Sequence, residues 1–234
     1  VYGATEWILS NGAKVVVLPT DHKKDQILFS FYKAGGQSLI PTEDLASFDA
    51  SIFGAFQSVQ GLSKFKGTDL TKVLSGKMVS VSPFIDNLYN GVSGNSSVKD
   101  LETAFQLLYL NYVDPRFDQK EFDNATSQIK AVLPNLLNTP NFAFQKELNK
   151  VLYNDDPRNE VISMEKLEKA SLQAIERNYR RLFADVAGSV MVIVGDVDLD
   201  TLKPLVEKYV GSLPKGKKAT KWAEVEPKLA KGKV

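Results

Sequence analysis

TEWILSNGAKVVVLPTDHKKDQILFSFYK, residues 5–33, decides the fold. TEWILS and KVVVLP flank Asn11 and Gly12, and an Asn-Gly pair readily takes the positive φ angles of a tight turn, so the two runs are expected to form a hairpin. QILFSFYK follows, closed by Gly35 and Gly36, and its β-branched and aromatic residues suit a pleated, half-buried strand. The chain therefore opens with β structure.

Working outward, the middle of the chain reads as helical. A helix is expected near Thr42, with Thr42 as N-cap and Glu43 and Asp44 in its first turn. Leu45, Phe48, Ile52, Phe56 and Val59 follow at helical spacing and would share one buried face, with Gly61 at the end. A short helix around TDLTKVLSG leads to the strand MVSVSPFI, with NLYNGVSG as its pairing partner. Ser97 opens an amphipathic helix carrying Leu101, Ala104, Phe105, Leu108 and Tyr112 on one face, stopped by Asp114 and Pro115. Further helices are expected at 118–133, 140–153 and 164–183. VMVIV, residues 190–194, is the clearest buried strand, and a helix over 199–210 precedes the turn GSLP. From Lys215 the chain turns Lys-rich and apolar-poor, so 215–234 is expected to be a solvated linker or tail, with Trp222 able to anchor it. Early strands, central helices and a late strand plus helix define an α+β class. The expectation is a single layered domain over 1–214, with an antiparallel or mixed sheet packed against helices.

Composition narrows the chemistry. With 43% hydrophobic residues in 234, one sizeable core can be built. Twenty-nine Lys and Arg against 28 Asp and Glu supply no global field for nucleic acid or an anionic membrane surface. Cysteine is absent, which excludes disulfides, thiol nucleophiles and zinc-thiolate sites. The single histidine, His22, excludes any two-histidine metal site within the chain. No stretch approaches the roughly 20 apolar residues needed to cross a bilayer, so a soluble chain is expected. It begins at Val1 without a charged leader and apolar run, which is uninformative for a fragment excised from a longer precursor.

Four segments carry a resemblance. NGAKVVVLPTDHKKDQILFSFYKAGGQSL (11–39), GLSKFKGTDLTKVLSGKMVSVSP (61–83), GNSSVKDLETAFQLLYL (94–110) and VMVIVGDVDLDTLKPLVEKYVGSLP (190–214) stand in the order of a pitrilysin-type (M16) zinc metallopeptidase domain. The resemblance runs over residues 5–214. It implies a protein of four similar α+β domains, arranged as two halves that close around a peptide chamber. PTDHKKDQILFS and KVLSGKMVSVSP look most like the third domain, which opens the second, non-catalytic half of long bacterial members.

The motif position can be tested on the residues. In HxxEH the two histidines at i and i+4 share one helix face and reach one zinc, and the glutamate activates the zinc-bound water. Aligning Gly61 with the glycine after that motif puts its three positions at Ile52, Ala55 and Phe56. The third-ligand position falls near Val132, beside Ala131. None can ligate a metal. No catalytic, cofactor-binding or metal-ligating residue is therefore expected in this chain. Zinc would belong to the catalytic domain of the parent protein, and the partners would be other domains of the same polypeptide and peptide substrates, with no nucleic acid and no membrane span. Family members also carry an Arg and Tyr spaced RxxxxxxY in the second half; Arg177, Tyr179, Arg180 and Arg181 do not match that spacing. The resemblance suggests a periplasmic or envelope location. A proteolytically silent structural or peptide-binding module of the same fold is the alternative.

Other signals have plainer readings. His22, among Asp21, Lys23 and Lys24, reads as a surface-turn residue. Asp196, Asp198, Asp200 and Glu207 partly match a calcium loop. Thr201 stands where Gly is required and Pro204 interrupts, so Asp198 or Asp200 is expected to cap a helix. GVSGNSS lacks the Gly-Lys-Ser/Thr of a phosphate loop, since Lys99 is not so placed. The run Arg177–Arg181 reads as a solvated face or a domain contact rather than a nucleic-acid surface.

Overall fold

The computed structural model describes residues 3–225 and 232. Two compact units interleave along the chain: one takes residues up to Leu39, Gln60–Arg116 and Tyr179–Ala223, the other Ile40–Val59 and Phe117–Asn178, with the chain from Glu224 on.

The first unit is a six-stranded sheet. Its strands are β1 (Thr5–Ile8), β2 (Lys14–Pro19), β3 (Ile27–Ala34), β4 (Val79–Ile85), β5 (Tyr89–Ser96) and β6 (Val190–Gly195). They lie in the order β1-β2-β6-β3-β5-β4. Only β2 and β6 pair in parallel, which makes the sheet mixed, as expected. The β1–β2 hairpin forms as read, but its turn is wider than the Asn-Gly pair suggests. Leu9 N–H donates to Ala13 O at 2.9 Å, and Gly12 alone of the pair takes positive φ. Asn11 instead turns its buried amide on the C-terminal end of the unit, donating to Val210 O at 2.8 Å and Leu213 O at 3.2 Å.

Alternation along the strands sends Val15, Val17, Ile27, Phe29, Phe31, Met191 and Ile193 to one face, where all are buried. Aromatic rings pack over it. The helix Leu101–Val113 brings Phe105 to Phe29 at 6.5 Å between centroids and Tyr112 to Phe31 at 5.5 Å. Phe183 then packs on Tyr112 at 5.3 Å and stacks on Tyr179 at 4.1 Å. Burial pushes both tyrosine hydroxyls well above their ordinary pKa. Tyr179 donates to Asn111 O at 2.7 Å. β3 ends at Gly35 and Gly36; Gly36 sits at φ +58, and a Cβ there would lie 2.2 Å from Asp86 O, so only glycine fits.

The helices are α1 (Ala50–Gln57), α2 (Gly67–Val73), α3 (Leu101–Val113), α4 (Gln119–Leu137), α5 (Pro140–Tyr153), α6 (Met164–Lys169), α7 (Leu172–Leu182) and α8 (Leu199–Leu205), the last continuing as a π turn over Val206–Val210. Several boundaries differ from the sequence reading. Thr42 begins only a short 3-10 turn, Thr42–Asp44, and the helix starts at Ala50, where Asp49 accepts from Ser51 N–H at 2.8 Å and Ile52 N–H at 3.2 Å. An aspartate that can satisfy two free N–H groups overrides the apolar spacing upstream of it. The helix after Ser97 begins at Leu101, because Ser97 Oγ and Asp100 bond to one another. The span 164–183 breaks between Lys169 and Leu172, where Ser171 N–H reaches across to Ser47 O at 3.1 Å.

Among the described residues the segment from Lys215 contains no helix or strand, and the linker expected over 215–234 falls partly outside the described residues. Trp222 is an anchor, meeting Tyr89 edge to face at 5.9 Å. No helix among the described residues is long and apolar enough to cross a membrane.

Candidate functional site: an apolar motif helix and an open sheet face

The second unit holds the position where the resemblance puts zinc chemistry. On α1, Ile52 and Phe56 are fully buried one turn apart, with Phe53 beside them. Phe56 packs against Phe117 at 6.4 Å and edge-on against Phe122 at 5.7 Å, and Phe53 stacks on Phe48 at 6.2 Å. The pair of positions that must present two imidazoles is thus the hydrophobic centre of this unit. Ala55 is half-buried.

The counted third-ligand position lies on α4. Val132 is 61% exposed and Ala131 is exposed too, while Leu133 is the buried residue of that turn of α4. Helical phase advances about 100° per residue, so a one-residue slip in an ungapped count moves a position from core to solvent. Ile52, Phe56, Val132 and its neighbours Ala131 and Leu133 are all hydrocarbon, and a zinc ion does not fit them. Among the described residues no group of three His, Asp or Glu side chains is placed to hold a metal ion.

The remaining polar signals are absorbed by the fold. Asp198 accepts from Thr201 N–H at 2.8 Å as the N-cap of α8, and that bond holds its carboxyl below the ordinary range. Asp196 accepts from Asp25 N–H at 2.8 Å, which ties the β2–β3 loop to the end of β6. His22 is exposed in that loop. GVSGNSS is strand β5 running into a turn. Of the basic run, Arg177 donates two bonds to the buried carboxylate of Asp44, where Asn178 adds a third at 2.9 Å. Arg181 donates to Leu39 O. A residue already holding a protein acceptor is poorly placed for phosphate.

The surface missed from sequence is the other side of the sheet. VMVIV reads as buried throughout, yet only Met191 and Ile193 of that run are buried, and Val190, Val192 and Val194 are half-buried. In register with them stand Val16 and Leu18 on β2, and Tyr32, Ser30 and Leu28 on β3. Leu28 is 49% exposed, and Ile8, on the same face of β1, is 74% exposed. Beyond β3 the face turns polar, with Ser30, Ser93 and Ser82 in one row. Gly91 leaves room for Tyr32, since a Cβ there would come within 2.9 Å of Tyr32 Cβ, and Tyr32 meets Tyr89 edge to face at 5.9 Å. The missed signal was present: alternate residues of VVVL and VMVIV are all aliphatic, which a sheet solvated on one side does not need.

The chain is an α+β fold with hydrocarbon at the positions aligned with the zinc motif and a partly exposed apolar sheet face. A family profile described as Peptidase M16 inactive domain matches residues 169–234. The chain is 27% identical over 215 residues to a zinc protease PQQL-like protein of Arabidopsis thaliana, covering 91% of this chain and 20% of that protein. Its fold is similar to the periplasmic protease PqqL of Escherichia coli (TM-score 0.73, 20% identity, 94% of this chain and 25% of that one). It is equally similar to a peptidase M16 inactive domain structure from Pseudomonas fluorescens (TM-score 0.73, 17% identity, 94% and 53%). The resemblance drawn from the four sequence segments is borne out: the C-terminal part of the chain matches the M16 inactive-domain profile, and the relatives and structural neighbours are zinc proteases and M16 domains. The chain spans about a fifth of the length of the curated relatives it matches.

Proposed function

We propose that this chain is a non-catalytic domain of a zinc metalloendopeptidase and forms part of the wall of its peptide chamber. The observation that carries the proposal is the open sheet face. Its valines and leucines are ordered by the sheet and left half-solvated, the state expected of a surface that faces a bound chain rather than water alone. The apolar α1 supports the same assignment, since residues that hold a core together cannot also activate water. On this account the chain has no catalytic or metal-ligating residue, and zinc sits in a different domain of the parent protein. On this reading the module is the third of four similar domains, and residues 215–223 pack on it. Likeness in fold to the periplasmic Escherichia coli protease supports a periplasmic location.

The test is complementation. The purified chain is mixed with the zinc-bearing half of its parent, and cleavage of an unfolded peptide is followed. The chain alone is expected to be inert and the mixture more active than the half alone. An Asp at Val192, in the middle of the open face, should lower that gain while the chain stays folded. No association and no gain in activity would overturn the proposal.

A further inference from the structure

The Lys-rich segment is built into the fold as a strap along one end of the open sheet face. Val186 N–H donates to Pro214 O at 3.0 Å at its start, and Ala223 N–H donates to Ser38 Oγ at 3.0 Å at its end. Between these pins Gly216 lies so close to Asp185 that a Cβ would come 2.3 Å from Oδ1. Ala219 lies against Gly188, just before β6. Trp222 closes the strap on Tyr89, which itself meets Tyr32, so three aromatic rings run from the strap onto the open face.

The strap itself carries only positive charge, with Asp185 against Gly216 and Glu224 just beyond it. Lys215, Lys217, Lys218 and Lys221 are all exposed, none makes an ion pair among the described residues, and residues 214–223 include no acid. Elsewhere on this unit some lysines are neutralised, Lys14 by Glu6 at 2.8 Å, Lys208 by Glu102 at 2.9 Å and the buried Lys33 by Asp185 at 3.6 Å. Lys23, Lys24, Lys64, Lys66, Lys99 and Lys203, by contrast, are exposed like those of the strap and make no ion pair among the described residues. A flexible linker would carry unpaired lysines without consequence. Four unpaired cations fixed at the rim of an apolar face create a local positive potential there, although the whole chain is nearly neutral at +1.

We infer that this strap and the aromatic trio beside it form a selectivity surface for polypeptides with acidic residues flanking an apolar or aromatic stretch. The apolar stretch lies on Val190, Val192 and the rings of Tyr32, Tyr89 and Trp222, and the acidic flank lies against the lysines. Rim charges of this kind act mainly on choice of partner and on the rate of capture. The inference rests on the reading of the sheet face as chamber wall and names the substrate class that wall favours.

The experiment uses the 234-residue chain alone. Three fluorescent peptides share one apolar-aromatic centre and are flanked by glutamates, serines or lysines, and their binding is read by anisotropy at low and high salt. The glutamate peptide should bind roughly tenfold more tightly than the serine peptide at low salt, and the difference should shrink as salt screens exposed charge. Neutralising the strap with K215Q, K217Q, K218Q and K221Q should remove the preference, and glutamates at the same positions should invert it. Trp222→Ala should weaken all three peptides alike. Binding of the three peptides with equal affinity overturns the selectivity while leaving the chamber-wall reading intact. Failure to bind any of them overturns both. A preference that survives in the glutamine variant assigns it to some other part of the surface and also overturns the inference.

Discussion

Phe56 and Val192 come from equally apolar runs, yet the fold treats them oppositely. Phe56, on α1 of the helical unit, is fully enclosed, with Phe117, Phe122 and Ile52 helping to form its core. Val192, at the centre of the sheet, is only partly buried, as are Val16 and Ser30 in register with it on either side. Enclosed hydrocarbon is explained by stability, because each side chain removed from water favours the folded state. Half-open hydrocarbon is not, and when it recurs across three adjoining strands it implies something that covers it in use. The position related by resemblance to catalysis is packed as core, and the proposed functional surface lies on the sheet.

Substitution should separate the two regions by size of effect. Phe56→Ala is expected to cost about 3–5 kcal/mol, measured by urea denaturation, because it opens a cavity among aromatic neighbours. Asp44→Ala, which removes the acceptor for Arg177 and Asn178, should cost about 1–2 kcal/mol. Most of that comes from the buried Asn178 amide, since the Arg177 side chain is 58% exposed and its charge is screened. Val192→Thr on the open face should change stability by less than about 1 kcal/mol while weakening peptide binding. A large loss of stability from that change would mean the face is core after all, and the contrast would fail.

The smallest effect concerns pH. Asp100 accepts from Met78 N–H at 2.8 Å and Ser97 Oγ at 2.9 Å, which together hold its carboxyl below the ordinary value of 3.8. A carboxylate depressed in the folded state stabilises it above that ordinary value, and the contribution is lost as pH falls through the lower, folded-state value. Wild type should therefore lose more melting temperature than Asp100→Asn on acidification below about pH 4. Parallel curves would remove Asp100 from the account.

Much of this was legible in the residues. The hairpin, β3, the β4–β5 pair and the helix of Leu101–Val113 follow from period and turn chemistry, because local pattern and tertiary packing agree there. The helix expected from Thr42 failed because Leu45 and Phe48 are buried at helical spacing without being helical, and Asp49 was the stronger start signal. The open face was hidden because a strand covered on both sides and a strand awaiting a partner share one composition. The strap was hidden because its composition is that of a linker, and the hydrogen bonds that pin Pro214 and Ala223 come from residues far away in sequence.

The central claim is that buried hydrocarbon stands where a water-activating metal site would be. It is tested most directly by measuring zinc in the purified, refolded chain by elemental analysis, alongside hydrolysis of an unfolded peptide with and without chelator. The account predicts no stoichiometric zinc and no cleavage. A tightly held zinc ion in each chain, together with hydrolysis that a chelator abolishes, would contradict it.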